Sequence, residues 1–161
     1  MNSFNQNEWF IIIALFIGGI VVYFLPKRFP KKITAVFLIC GVFFGFFFDH
    51  TLSVLPKNYY DLNDSPKFEF FDYLSQCMYA PYSYLYFHLY DRMNIRLRYS
   101  PMYILVWALI SVGFERVGDL LGIYHYHHGY NLYISFAIYL VVLSSWVGFY
   151  YVIKAYGARE Y

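Results

Sequence analysis

Five apolar runs, each close to the roughly 20 residues a helix needs to cross about 30 Å of hydrocarbon, are separated along this chain by short polar links. The pattern places spans at 9–25, 33–55, 68–90, 102–124 and 132–153. None alternates with period two, and in lipid each backbone amide must find its partner within its own segment. The spans are therefore expected to be helices rather than strands of a barrel. Proline punctuates the pattern: Pro26 and Pro30 bracket the first link, Pro56 closes the second span, and Pro66 and Pro101 precede the third and fourth. Pro81 falls inside the third span, where it removes one helical hydrogen bond and is expected to bend the helix.

The expected fold is thus an all-α membrane protein, a single bundle of about five transmembrane helices covering the whole chain. Basic residues orient it. Four lie in the first link (Lys27, Arg28, Lys31, Lys32), three in the third (Arg92, Arg96, Arg98) and two in the tail (Lys154, Arg159), nine of the 12 in the chain. By the positive-inside rule that side is cytoplasmic, which puts the N-terminus outside and the C-terminus in the cytoplasm. The other side carries Lys57 and Lys67 with Glu8, Asp61 and Asp64. No small-x-small pattern follows the first apolar run, so that segment is expected to stay as a span rather than be cleaved.

Composition agrees with lipid as the main solvent: 60% of the 161 residues are hydrophobic and 14% charged, against about a quarter charged in soluble domains. Twenty tyrosines add apolar rings with polar tips, side chains suited to a membrane interface. A net charge of +2 gives no nucleic-acid footprint. Cys40 and Cys77 sit in different apolar runs and read as packing residues rather than a disulfide. No phosphate-cradling glycine loop, serine elbow or CxxC pair occurs.

Ionisable residues within spans are the candidate chemistry, because charge is costly in lipid. Asp119 and Glu115 lie about 8 and 14 Å below the outer boundary of their helix, and Asp49 and Asp72 about 9 and 6 Å below theirs, at about 1.5 Å of rise per residue. With Arg116 and His50 at similar depth, these residues form a candidate ligand or ion site. Glu115 and Asp119, four apart, are expected to point into the bundle, and Arg116 to pair with Asp72, Asp119 or Asp49. The same cluster also fits a polar network that holds helices in register. In the link IYHYHHGYN, His125 and His127 are spaced to share one side of an extended strand, a weak candidate for a divalent metal and the one cofactor the sequence suggests. His88, alone in its span, reads as a packing residue.

Asp72, Gln76, Tyr79, Ser83, Tyr86 and Tyr90 recur at alternating spacings of four and three, a polar stripe expected to bond to neighbouring helices. The pairs Gly41/Gly45 and Gly118/Gly122 mark expected close helix contacts.

The run DHTLSVLPKNYYDLNDSPKFEFFDYLSQCMYAPYSYLYFHLYDR, followed by WALISVGFER and GIYHYHHGYN, resembles a family of small multi-span membrane proteins of spore-forming Gram-positive bacteria. The resemblance covers about 49–151. It rests on Asp49-His50, Tyr60-Asp61, Asn63-Asp64, Asp72, Pro81, Tyr90-Asp91 and Phe114-Glu115. An aromatic residue commonly follows the glutamate in that family, so Arg116 departs from its pattern. The resemblance implies a bacterial plasma membrane and carries no activity over. Three functions stay open: a non-enzymatic interaction or accessory component of the envelope, with lipid and other membrane proteins as partners; a small ion- or proton-coupled transporter using the carboxylates; and a metal-dependent membrane hydrolase using His50, His125 and His127.

Overall fold

The computed structural model describes residues 6–53, 58–62 and 70–157. Expected boundaries at 55 and 68, and Pro56, Lys57, Asp64, Pro66, Lys67 and Arg159, lie outside these residues. Helices α1 (Gln6–Phe24) and α2 (Lys31–Leu52) precede a short strand β1 (Tyr60–Leu62), and α3 (Phe70–Cys77) and α4 (Tyr79–Arg92) follow it. A 3-10 turn (Leu97–Tyr99) leads into α5 (Ser100–Leu120), then β2 (Tyr124–Tyr126) and α6 (Leu132–Gly157). Three helical stretches are long and apolar enough to cross a membrane: Lys31–Leu52, Leu97–Leu120 and Leu132–Tyr156. Only 22%, 22% and 28% of these windows are buried, so most of their apolar surface needs an apolar solvent.

The third apolar run forms two helices rather than one. Pro81 has no N–H to offer the carbonyl of Cys77, four residues back, and the break falls at Met78, directly after that carbonyl. The C-terminal ends of α4 and α5 are each set by a residue in the left-handed region. Asn94 (φ 48°) ends α4, with the Ile95 N–H reaching the Tyr90 carbonyl. Gly122 (φ 77°) ends α5 in the same way, with the Ile123 N–H on the Gly118 carbonyl and the Gly122 N–H on the Asp119 carbonyl. Gly122 is therefore a helix stop, not a helix-packing glycine, and α5 ends four residues earlier than the apolar pattern places it.

β1 and β2 pair antiparallel, Tyr60 opposite Tyr126 and Leu62 opposite Tyr124, forming a two-stranded ribbon. Hydropathy did not anticipate it. At three residues per strand it is too short to register, and its alternating tyrosines look interfacial either way. The ribbon ties the link after α2 to the link after α5. At the opposite end, Asp91 ties the first link and α6 to α4: Arg28 approaches it at 2.7 Å, Lys154 at 3.6 Å, and the Tyr150 hydroxyl donates to it at 2.5 Å.

Between these ends, α2 packs most extensively on α4, and α5 on α6. Gly41 and Gly45 explain the first contact: a side chain at Gly41 would run into the Tyr79 carbonyl and Ser83, and one at Gly45 into the Tyr79 ring. That close approach lets the Ser83 hydroxyl donate to the Phe37 carbonyl at 2.7 Å. The polar stripe continues the theme. Tyr86 donates to the Leu143 carbonyl at 3.1 Å, and the Tyr90 hydroxyl lies 2.6 Å from that of Ser100. Each bond is worth only about 0.6 kcal/mol within a membrane, so the stripe acts by number and by fixing register. Around it the aromatic core is dense, with Phe37 stacked on Phe87 at 4.0 Å and Tyr86 meeting Trp107 and Trp146 edge-on at 5.5 and 5.3 Å. Cys40 and Cys77 are free thiols.

Two outcomes test this packing. Gly41→Leu lowers the stability of the detergent-solubilised protein by about 1–3 kcal/mol through overpacking. The same change at Gly19, whose Cβ position meets nothing, leaves the thermal midpoint near wild type. Asp91 supplies the second. Partial burial opposes its ionisation, but the Tyr150 hydroxyl, Arg28 and Lys154 outweigh that and hold its carboxyl below the usual 3.8. A depressed carboxylate stabilises the folded state above its unfolded pKa, and that contribution fades as pH falls through the folded value. Asp91→Asn is thus destabilising at neutral pH, and its deficit relative to wild type in thermal unfolding shrinks below pH 3.8.

Candidate functional site

A chamber of about 620 Å³ lies under the ribbon, walled by α1, α2, α4, α5 and α6. Its ceiling is polar: Asp49 from α2, Glu115 from α5 and Ser135 from α6, with Tyr60, Tyr79, Tyr124, Tyr126, Tyr130 and Tyr139. Its body is apolar, with Phe44, Leu85, Trp107, Ile138, Leu143 and Trp146 among the walls. Ile13 and Ile17 of α1 and Ile110 and Phe114 of α5 line the chamber and are also exposed on the outside of the bundle. The mouth therefore lies between α1 and α5, facing the surface that hydrocarbon would cover. α1 leaves this gap because its own packing is on α3 and α4.

Glu115 is 7% exposed and holds the ceiling together. One carboxylate oxygen accepts from Tyr126 at 2.8 Å and Ser135 at 2.5 Å, and the other accepts from Tyr139 at 2.7 Å. Tyr130 extends the cluster, its hydroxyl 3.0 Å from that of Ser135. Asp49, 6% exposed, accepts from Tyr60 at 2.8 Å. Tyr79 and Tyr124 bond to each other at 3.0 Å across the space between them. Among the described residues, the two carboxylates thus have neutral hydroxyls as partners, and no Lys, Arg or His lines the chamber.

The phenols outside the spans stay protonated. Burial and then the nearby Asp49 charge push Tyr60 well above its ordinary range. Burial and then Glu115 do the same for Tyr126. Burial raises Tyr130 to about 12 against the opposing bond to Ser135. All three serve as hydroxyl donors at any physiological pH.

The sequence candidates divide. Asp49 and Glu115 come together on the chamber, and Asp72 is buried near enough to Asp49 to interact electrostatically with it. Beside Asp49, the fully buried Gln76 amide faces the carboxylate without meeting it in a hydrogen bond of normal geometry. Arg116 and Asp119 do not join them. They pair with each other one turn apart on the outer side of α5, Arg116 being 55% exposed. The expectation that Asp119 points into the bundle with Glu115 is corrected accordingly: a partner three residues away on the same helix draws it aside. His50 is exposed and stacks on Phe46 at 3.9 Å, off the chamber.

In the ribbon, strand alternation sends Tyr124 and Tyr126 toward the chamber and leaves His125 and His127 exposed on the other side. Among the described residues, no three His, Cys, Asp or Glu side chains gather as a metal-holding group. Sequence reasoning missed the tyrosines and Ser135. The cue was the YHY spacing, because in a strand every second residue, here Tyr124 and Tyr126, turns to the same side.

Replacing Glu115 by Leu leaves the Tyr126, Ser135 and Tyr139 hydroxyls without their acceptor, at a cost of about 1.5–3 kcal/mol. Arg116→Gln, which breaks only an exposed pair, stays within about 1 kcal/mol of wild type. Reversible unfolding in mixed micelles measures both, and a larger loss for Arg116→Gln than for Glu115→Leu contradicts this division of the charged residues.

No family model, no curated protein and no solved structure matches this chain, so the chemistry of the chamber rests on its own residues.

Proposed function

We propose that the protein is a multi-pass component of a bacterial plasma membrane that crosses the bilayer five times, N-terminus outside and C-terminus cytoplasmic. In this reading it works without catalysis, as an accessory protein that holds a bilayer-borne molecule in its chamber. Two further crossings are required beyond the three long helices. α1 supplies one, with 19 residues that rise about 28 Å. The broken pair α3 and α4 supplies the other, continuous in direction because Met78 keeps near-helical angles. The end ties fit this alternation: the ribbon joins the second and fourth links, and the Asp91 cluster joins the first link to the ends of α4 and α6. The basic cluster lies at the Asp91 end, which is the cytoplasmic side under the positive-inside rule.

The observation that carries the binding reading is a chamber of about 620 Å³ whose mouth opens sideways between α1 and α5. A volume in the range of about 300–1,000 Å³ with mostly apolar walls and a few convergent polar groups is the usual form of a small-molecule site. A lateral mouth admits molecules already dissolved in the bilayer. A second reading, an ion-coupled carrier, is favoured by one feature: two buried carboxylates on different helices share the chamber, with no base between them among the described residues.

Mass spectrometry of organic extracts from the purified protein separates these. Wild type retains a stoichiometric amphiphile through detergent exchange, and Ala14→Trp, which fills the chamber from α1, loses it. Equal amounts in the two proteins overturn the binding reading. Proton or cation flux in proteoliposomes that Glu115→Gln abolishes moves the assignment to the carrier.

A further inference from the structure

We infer that the chamber takes an amphiphilic organic cation, an ammonium head on an apolar tail, with the head seated among Tyr60, Tyr124, Tyr126 and Tyr130 beside Asp49 and Glu115. This rests on the ligand-holding role proposed above and names the class of ligand.

Charge gives the first argument. Asp49 and Glu115 enter the chamber from different helices, and among the described residues no basic side chain lines it. Hydroxyl donors relieve two buried carboxylates only in part, whereas an ammonium group supplies the missing countercharge. An anionic or phosphate head placed there would add a third negative charge in the same low-dielectric space.

Ring geometry gives the second argument. Tyr60 meets Tyr124 at 6.1 Å, Tyr124 meets Tyr126 at 6.4 Å, Tyr126 meets Tyr130 at 5.6 Å, and Tyr130 returns to Tyr60 at 5.3 Å. Four tyrosines thus form a closed circuit of contacts, and all four line the chamber. Clustered aromatic faces attract alkylammonium groups through the ring quadrupole, and the attraction strengthens where water is excluded. Below this head site, Phe44, Ile138 and Leu143 offer the tail an apolar wall down to the lateral mouth.

Two of the three tryptophans, Trp107 and Trp146, line the chamber and are otherwise buried, while Trp9 is 51% exposed. The test uses the full chain carrying Trp9→Phe, in nanodiscs of zwitterionic lipid, titrated with three tail-brominated dodecyl probes. These carry a trimethylammonium, a carboxylate or a maltoside head, and the readout is quenching of tryptophan fluorescence. The expected result is saturable quenching by the ammonium probe at about a tenfold lower mole fraction than by the maltoside, with the carboxylate probe weakest. Asp49→Asn with Glu115→Gln removes the ammonium advantage and leaves maltoside quenching in place, which also shows that the variant is folded. If that variant does not fold, the three-probe comparison on the Trp9→Phe protein decides alone. Saturable quenching that is equal for all three heads overturns the cation assignment and leaves the chamber reading standing. Absence of saturable quenching by any probe overturns the chamber reading itself.

Discussion

A carboxylate placed among apolar helices has to be hydrogen-bonded or paired, and in this protein Glu115 meets that demand with hydroxyls rather than with a base. Tyr126, Ser135 and Tyr139 come from β2 and α6, so one buried charge draws the ribbon and the last helix onto α5. The roof of the chamber follows from this arrangement. Had Arg116 turned inward to pair with Glu115, the ion pair would have filled the space and left the tyrosines without an acceptor. Because Arg116 pairs along its own helix with Asp119, the interior keeps its acidic character.

The rest of the bundle is arranged around that roof by close packing. Gly41 and Gly45 bring α2 against α4, and the backbone carbonyls there become reachable by side chains of the neighbouring helix. In lipid, where burying apolar surface between helices gains little, such approaches and the hydrogen bonds they permit carry much of the association. α1 makes a close glycine contact of its own, Gly18 against Pro81 of α4, but carries no polar stripe like that of α4, and it rests on α3 and α4 with a gap toward α5. The opening into the chamber is the result.

Several features were legible before any coordinates. The glycine pair at Gly41 and Gly45, the stripe from Asp72 to Tyr90, the free cysteines and the disturbance caused by Pro81 all follow from spacing within one helix, which a sequence displays directly. Other features depend on choices between helices. Depth arithmetic placed Asp119 beside Glu115, but rotation about the helix and a local partner took it out of the interior. His50 follows Asp49 by one residue, a rotation of about 100°, and so looks outward while Asp49 looks inward. Gly122 matched a packing motif, yet its positive φ shows that the chain needed it to stop. The ribbon stayed hidden because its two strands are separated by three helices and pair only once those helices are in place.

The position of Glu115's partners also bears on how the chain enters a membrane. Its donors lie 11, 20 and 24 residues further along, so they are synthesised after the glutamate, and two of them, Ser135 and Tyr139, become available only when α6 arrives. The Arg116 and Asp119 pair is complete within one turn and can form as soon as α5 is made, setting two opposite charges against each other. Local ion pairing thus serves the emerging segment, and distant hydrogen bonding serves the finished fold. Until α6 is threaded beside it, α5 carries one unpaid charge, which makes its lasting residence in the bilayer conditional on the final helix.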